Sequence, residues 1–104
     1  MENETTLVVW RKWLSTDEII ALFPAEPFDI NGRYCLSYEH VGQHSGADYH
    51  EVIEATSPAT EEEAASLAQE LTRIGYKLKP IKRASQTVHE RRRATARALR
   101  ATPV

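Results

Sequence analysis

Three observations predict an α+β domain: a three- to four-stranded, mainly antiparallel sheet, one packed amphipathic helix and a basic C-terminal helix. Residues 5–14 are rich in β-branched and aromatic types, and Arg33 to His40 sets Tyr34, Leu36, Tyr38 and His40 on one face against Cys35, Ser37 and Glu39 on the other, the period of a strand. Residues 60–75 hold a capping-box start, an apolar stripe at helical spacing and a glycine stop. A length of 104 residues with 41% hydrophobic content suits one domain that builds its core without metal or disulfide support.

Thr5 to Leu14 is the first expected strand. Ser15-Thr16-Asp17 is turn chemistry, and Glu18 to Phe23 is a second apolar run stopped by Pro24, so the two runs form a hairpin. By the period of two, Trp10 and Trp13 fall on opposite faces of the first strand, so either both pack under loops or a helix or one of them lines a groove or partner surface. Pro24 to Gly32 is expected as a loop, with Asn31-Gly32 accepting positive φ in a tight turn, before the strand from Arg33 to His40.

After the histidine-rich stretch, a helical turn near Asp48 leads into extended chain at Ser57-Pro58. Thr60 caps the main helix while Glu63 reaches back to its amide, and Glu61 to Glu63 sit where the positive end of the helix favours acids. Ala64, Leu67, Ala68, Leu71 and Ile74 form the stripe laid on the sheet, and Gly75 ends it. Tyr76 to Arg83 returns as an edge strand, since Pro80 cannot donate to a central ladder and Lys77, Lys79 and Lys82 discourage pairing. A second capping box at Thr87-Val88-His89-Glu90 opens a helix whose only sizeable apolar residues are Val88 and Leu99. With so little to bury, it is expected as a solvated helix or one ordered by an anionic partner. The expected division is therefore a domain over 1–84 and a basic helix or tail over 85–104.

The net charge of −2 conceals an asymmetry: residues 1–72 carry 14 acids against Arg11, Lys12 and Arg33, and residues 73–104 carry ten bases against Glu90. Those halves sum to −11 and +9, which points the basic end toward nucleic acid, an acidic protein surface or the acidic body of the chain itself. No apolar run approaches the roughly 20 residues of a membrane helix, and the acidic Met1-Glu2-Asn3-Glu4 start lacks the pattern of a secretory signal. With a single cysteine, Cys35, the expected compartment is cytoplasmic, with no membrane partner.

Residues 40–50 hold three of the four histidines and two of the four glycines. The residues Arg11-Lys12-Trp13, Ile20-Ala21-Leu22-Phe23-Pro24, Ser37-Tyr38, His40-Val41-Gly42-Gln43-His44, Ala47-Asp48-Tyr49, Pro58-Ala59-Thr60 and Gly75-Tyr76 resemble a family of small, functionally uncharacterised bacterial and mobile-element proteins. The resemblance spans roughly residues 8–83, departs at Ser45, where the family pattern tends to glycine, and implies one compact domain without supplying a reaction.

The residues themselves leave several readings of this stretch. As a recognition loop, His40, Gln43, His44, Asp48, Tyr49 and His50 bind a partner together with Trp13. As an acid/base or metal-dependent hydrolase, His40, His44 and Asp48 are catalytic, with Ser45, Cys35 or a water as nucleophile. As a metal site, zinc would take His40, His44, Asp48 or His50. In a continuous strand His40 and His44 stand about 13 Å apart, so sharing an ion requires a bend at Gly42. The plainest reading has these side chains satisfying one another and the loop backbone, with no cofactor. At the basic end, Arg91, Arg92, Arg93, Arg97 and Arg100 are the expected contacts to phosphates or an acidic protein. The first-choice function is a small non-catalytic binding or regulatory module with a protein or nucleic-acid partner.

Overall fold

A computed structural model describes residues 5–39 and 43–101, apart from the side chains of Gln43 and Ala101. Its sheet begins as an antiparallel meander: β1 (Thr6–Trp13), β2 (Ile19–Pro27), β3 (Cys35–Glu39) and β4 (Gln43–Ala47). Two three-residue strands then share the other side of β1, β5 (Thr56–Pro58) antiparallel to Arg11–Trp13 and β6 (Leu78–Pro80) parallel to Thr6–Val8. The class is the expected α+β, with six strands among the described residues rather than three or four. The additional strands are β4 and β5, which carry little strand propensity of their own and are held by pairing to stronger neighbours.

β2 also runs past the proline expected to stop it. Its register against β3 shifts between Phe23 and Pro27, and Pro24 lies inside that irregularity, where a missing N–H costs no ladder bond. The turn beyond it follows the sequence: the Gly32 N–H donates to the Asp29 carbonyl at 3.1 Å with φ of 69°.

The two sheet faces separate by the period of two, and both are covered. Val8, Trp10, Ala21, Phe23 and Tyr38 pack beneath Ala64, Leu67 and Leu71 of α2 (Glu61–Ile74). Its start is the expected capping box, with Glu63 N–H donating to Thr60 Oγ1 at 3.1 Å and Thr60 N–H to Glu63 Oε1 at 2.9 Å. At its other end Gly75 and Tyr76 both donate backbone N–H groups to the Leu71 carbonyl. Val9, Ile20, Leu22 and Cys35 form the opposite face, beneath Tyr49 and Val52 of α1 (Tyr49–Ala55). Burying a leucine such as Leu22 or Leu67 stabilises the fold by about 1.5–3 kcal/mol relative to leaving it exposed.

The last helix, α3 (Gln86–Ala101), overturns the expectation of a solvated element. It packs along β2 on the α1 side, with His89, Arg92 and Ala96 buried. Its shortage of apolar residues does not keep it in solvent, because polar side chains occupy its inward positions. Arg92 donates through Nε to the Gly32 carbonyl at 2.8 Å and through one terminal nitrogen to the Pro24 carbonyl at 2.7 Å. Gly32 fits the helix closely: a Cβ there would stand 3.0 Å from Arg93 Cα and 3.1 Å from Ala96 Cβ. The helix also starts earlier than the box at Thr87 implies, with the Ser85 hydroxyl and carbonyl accepting from Val88 N–H.

Candidate interaction surface

The fold disperses the histidine stretch. His40 lies outside the described residues, as does the Gln43 side chain. His44 projects from β4 on the α2 side, because it pairs with Tyr38 and a directly opposed pair shares one face. Its ring stands 4.7 Å from the Tyr38 ring, and its Nε2 lies 2.8 Å from the Tyr76 hydroxyl. Tyr76 in turn stacks on Phe23 at 5.1 Å, and the Tyr38 hydroxyl donates to the Glu70 carboxylate. That hydrogen bond, then burial, raises the Tyr38 pKa above its ordinary value, while burial and the nearby Glu26 charge raise that of Tyr76.

Ser45, next along the strand, points to the opposite face, where its hydroxyl is 3.2 Å from Ser37 Oγ. His44 and Ser45 therefore do not form the nucleophile–base pair of the hydrolase reading. Cys35 is buried on that opposite face, where desolvation pushes its thiol up to about 11. Asp48 caps α1, accepting from Glu51 N–H at 3.2 Å. Tyr49, expected at the binding surface, is buried, and its hydroxyl accepts from Ala84 N–H at 2.7 Å. Among the described residues no three His, Cys, Asp or Glu side chains gather as a metal-ligand set. Trp10 and Trp13 do face opposite ways; Trp13 is half-buried, and its indole N–H donates to Glu39 at 2.6 Å.

His50 meets a partner that the sequence did not suggest. Its ring lies 5.2 Å from that of His89, and both rings pack against Tyr49. His89 Nδ1 is 2.8 Å from the Arg92 guanidinium. Since a guanidinium only donates, Nδ1 accepts and the ring is neutral, its proton on Nε2. Burial first, then the charges of Arg92, His50 and Arg93, hold the His89 pKa below its ordinary value.

Of the five arginines expected to meet a partner, Arg92 is committed to the interior, whereas Arg91, Arg93, Arg97 and Arg100 are exposed. Arg93, Arg97 and Arg100 share a flank of α3. Arg100 donates to the Ile30 carbonyl at 3.1 Å and to Asn31 Oδ1 at 2.9 Å, bringing the β2–β3 loop against this flank. The loop adds apolar surface beside the basic helix: its Phe28 and Ile30, exposed at 54% and 71%, line one shallow hollow with Pro27, Asp29 and, from α3, Ala96, Arg100 and Leu99, the last 66% exposed. Arg33 stands 5.6 Å over the ring of exposed Tyr34 in the same loop. Sequence reasoning missed Phe28 and Ile30. Their signal was two large apolar side chains inside a Pro/Asn/Gly-rich loop, where no core is near.

A second concavity opens where β5 and β6 part beside β1. Trp10 lies at its base, between Pro58 and Ala59 on one wall and Pro80 and Ile81 on the other.

No protein-family model matches the chain, and no curated protein or solved structure is significantly similar to it.

Proposed function

We propose that the protein is a small non-catalytic binding module that takes an acidic protein partner on the arginine flank of α3 and the apolar hollow beside it. The observation that carries this reading is the convergence of exposed Phe28, Ile30 and Leu99 on one hollow that Arg100 and Asp29 also line, with Arg93 and Arg97 beside Arg100 on the flank of α3. Exposed apolar residues scattered singly are ordinary, whereas a cluster rimmed by polar groups marks an interaction site. Aromatic residues and arginine are also the types enriched in protein interfaces. The charge division supports a partner of acidic character, since the basic C-terminal third presents three of its arginines on one outward flank.

The test is retention of proteins from the source cells on the immobilised chain, comparing wild type with Leu99→Glu, Arg97→Glu and the remote control Ser66→Glu. The expected result is a defined protein set retained by wild type and Ser66→Glu, lost with either surface variant and released at about 0.5 M salt, where the Debye length shrinks to a few ångströms. Equal retention by all variants, or nuclease-sensitive retention of nucleic acid in place of protein, overturns this reading.

A further inference from the structure

The two edges of the sheet are built differently. β5 and β6 are three residues long, each ends in a proline, and β6 adds Lys79, all features that discourage further pairing. β4 is five residues long and contains neither proline nor a residue of fixed charge. Among the described residues it pairs only on its β3 side, and His44, Ser45 and Gly46 are exposed.

We propose that β4 pairs antiparallel with β4 of a second copy of this chain, about a two-fold axis through Ser45, joining the two sheets into one. The strand is complementary to itself in this register. His44 of one copy stands opposite Gly46 of the other, and a directly opposed pair has Cβ positions about 4.5–5.5 Å apart on a shared face. Gly46 has no side chain there, and its own Phe28 ring lies over the position, within 2.4–2.9 Å of where a Cβ would be. The His44 ring of one copy therefore meets the Phe28 ring of the other, covering an aromatic side chain that is 54% exposed in the single chain. On the other face the two Ser45 hydroxyls meet at the axis, beside the Ser37 hydroxyls that already neighbour them. With no aspartate, glutamate, lysine or arginine in the strand, pairing places no fixed like charges opposite one another. The proposal stands independently of the partner reading, with Phe28 the one residue common to both surfaces. A five-residue strand is about 17 Å long, so the interface is small and the association concentration-dependent.

Sedimentation equilibrium of the full chain from about 5 µM to 1 mM, with the variants Ser45→Lys and Ser45→Cys, tests it. Wild type is expected to pass from monomer to dimer across that range. Ser45→Lys, which sets two ammonium groups face to face at the axis, is expected to weaken association at least tenfold while keeping the wild-type far-UV spectrum. Ser45→Cys is expected to give a disulfide-linked dimer under mild oxidation, with wild type as the control because Cys35 is buried. Should Ser45→Lys fail to fold, the Ser45→Cys cross-link decides. A wild type that stays monomeric to 1 mM overturns the proposal, as does a dimer that survives Ser45→Lys and forms no disulfide in the Ser45→Cys variant.

Discussion

Arg92 and His89 show how a polar side chain serves as core. The guanidinium satisfies the Pro24 and Gly32 carbonyls and its own helix neighbour His89, thereby tying α3 to the end of β2 and to the following turn. Arg92→Met keeps much of the volume but leaves those acceptors without their donor. Since an unsatisfied buried polar group costs about 1–3 kcal/mol, urea denaturation is expected to show a loss of about 3 kcal/mol. His89 makes the same contact sensitive to acid. Its folded pKa lies below its unfolded value, so between the two the unfolded chain binds the extra proton. Stability is then complete above about pH 6.5 and declines as pH falls below it, because an imidazolium would face Arg92, Arg93 and His50. His89→Gln retains an acceptor for Arg92 without titrating, and is expected to show a flatter melting temperature between pH 7 and 5 than wild type. The Cys35 thiol, pushed up to about 11 and buried, is expected to resist disulfide-exchange reagents at pH 8 until the chain is denatured.

Among the elements, α2 is legible in the sequence because its signals are local: Thr60 and Glu63 bond within one turn, and Ala64, Leu67 and Leu71 repeat on one face, although Ile74, expected on the same stripe, is 54% exposed at the last turn. α3 is legible as a helix but not as a packed one, since its inward positions are filled by His89 and Arg92, whose burial depends on carbonyls 60 and more residues away in sequence. β4 reads as a loop because His44, Ser45 and Gly46 carry no strand pattern; pairing with Cys35–Glu39 decides it. The candidate site suffers most from this. Its arginines and Leu99 are visible in the sequence, but Phe28 and Ile30 come from a loop joined to them by the docking of α3. Gly32→Ala tests that docking. It forces a side chain into φ of 69° and against the α3 backbone, and is expected to cost more than 1 kcal/mol and to increase amide exchange throughout α3.

As a whole molecule, the protein is a sheet closed on both faces by helices, with its opposite charges unevenly distributed and three of its exposed large apolar side chains, Phe28, Ile30 and Leu99, gathered at the hollow, while Leu14 and Ile74 are exposed singly elsewhere. The basic end is therefore part of the fold as well as a surface. Removing residues 86–104 would uncover buried parts of the sheet and destabilise the chain, so loss of binding on truncation would not distinguish contact from unfolding. Single substitutions on the outward flank make that distinction, because Arg93 and Arg97 are exposed and their loss leaves the interior intact.

The most direct test of the binding face is site-specific photocrosslinking in the source cells, with a photoreactive side chain placed at Leu99 or, as control, at Ser66 on the exposed side of α2. A discrete adduct to an acidic protein is expected from position 99, absent from position 66 and suppressed by Arg93→Glu. The same adducts from both positions, or none from position 99 beyond copies of the chain itself, would contradict the assignment of this face.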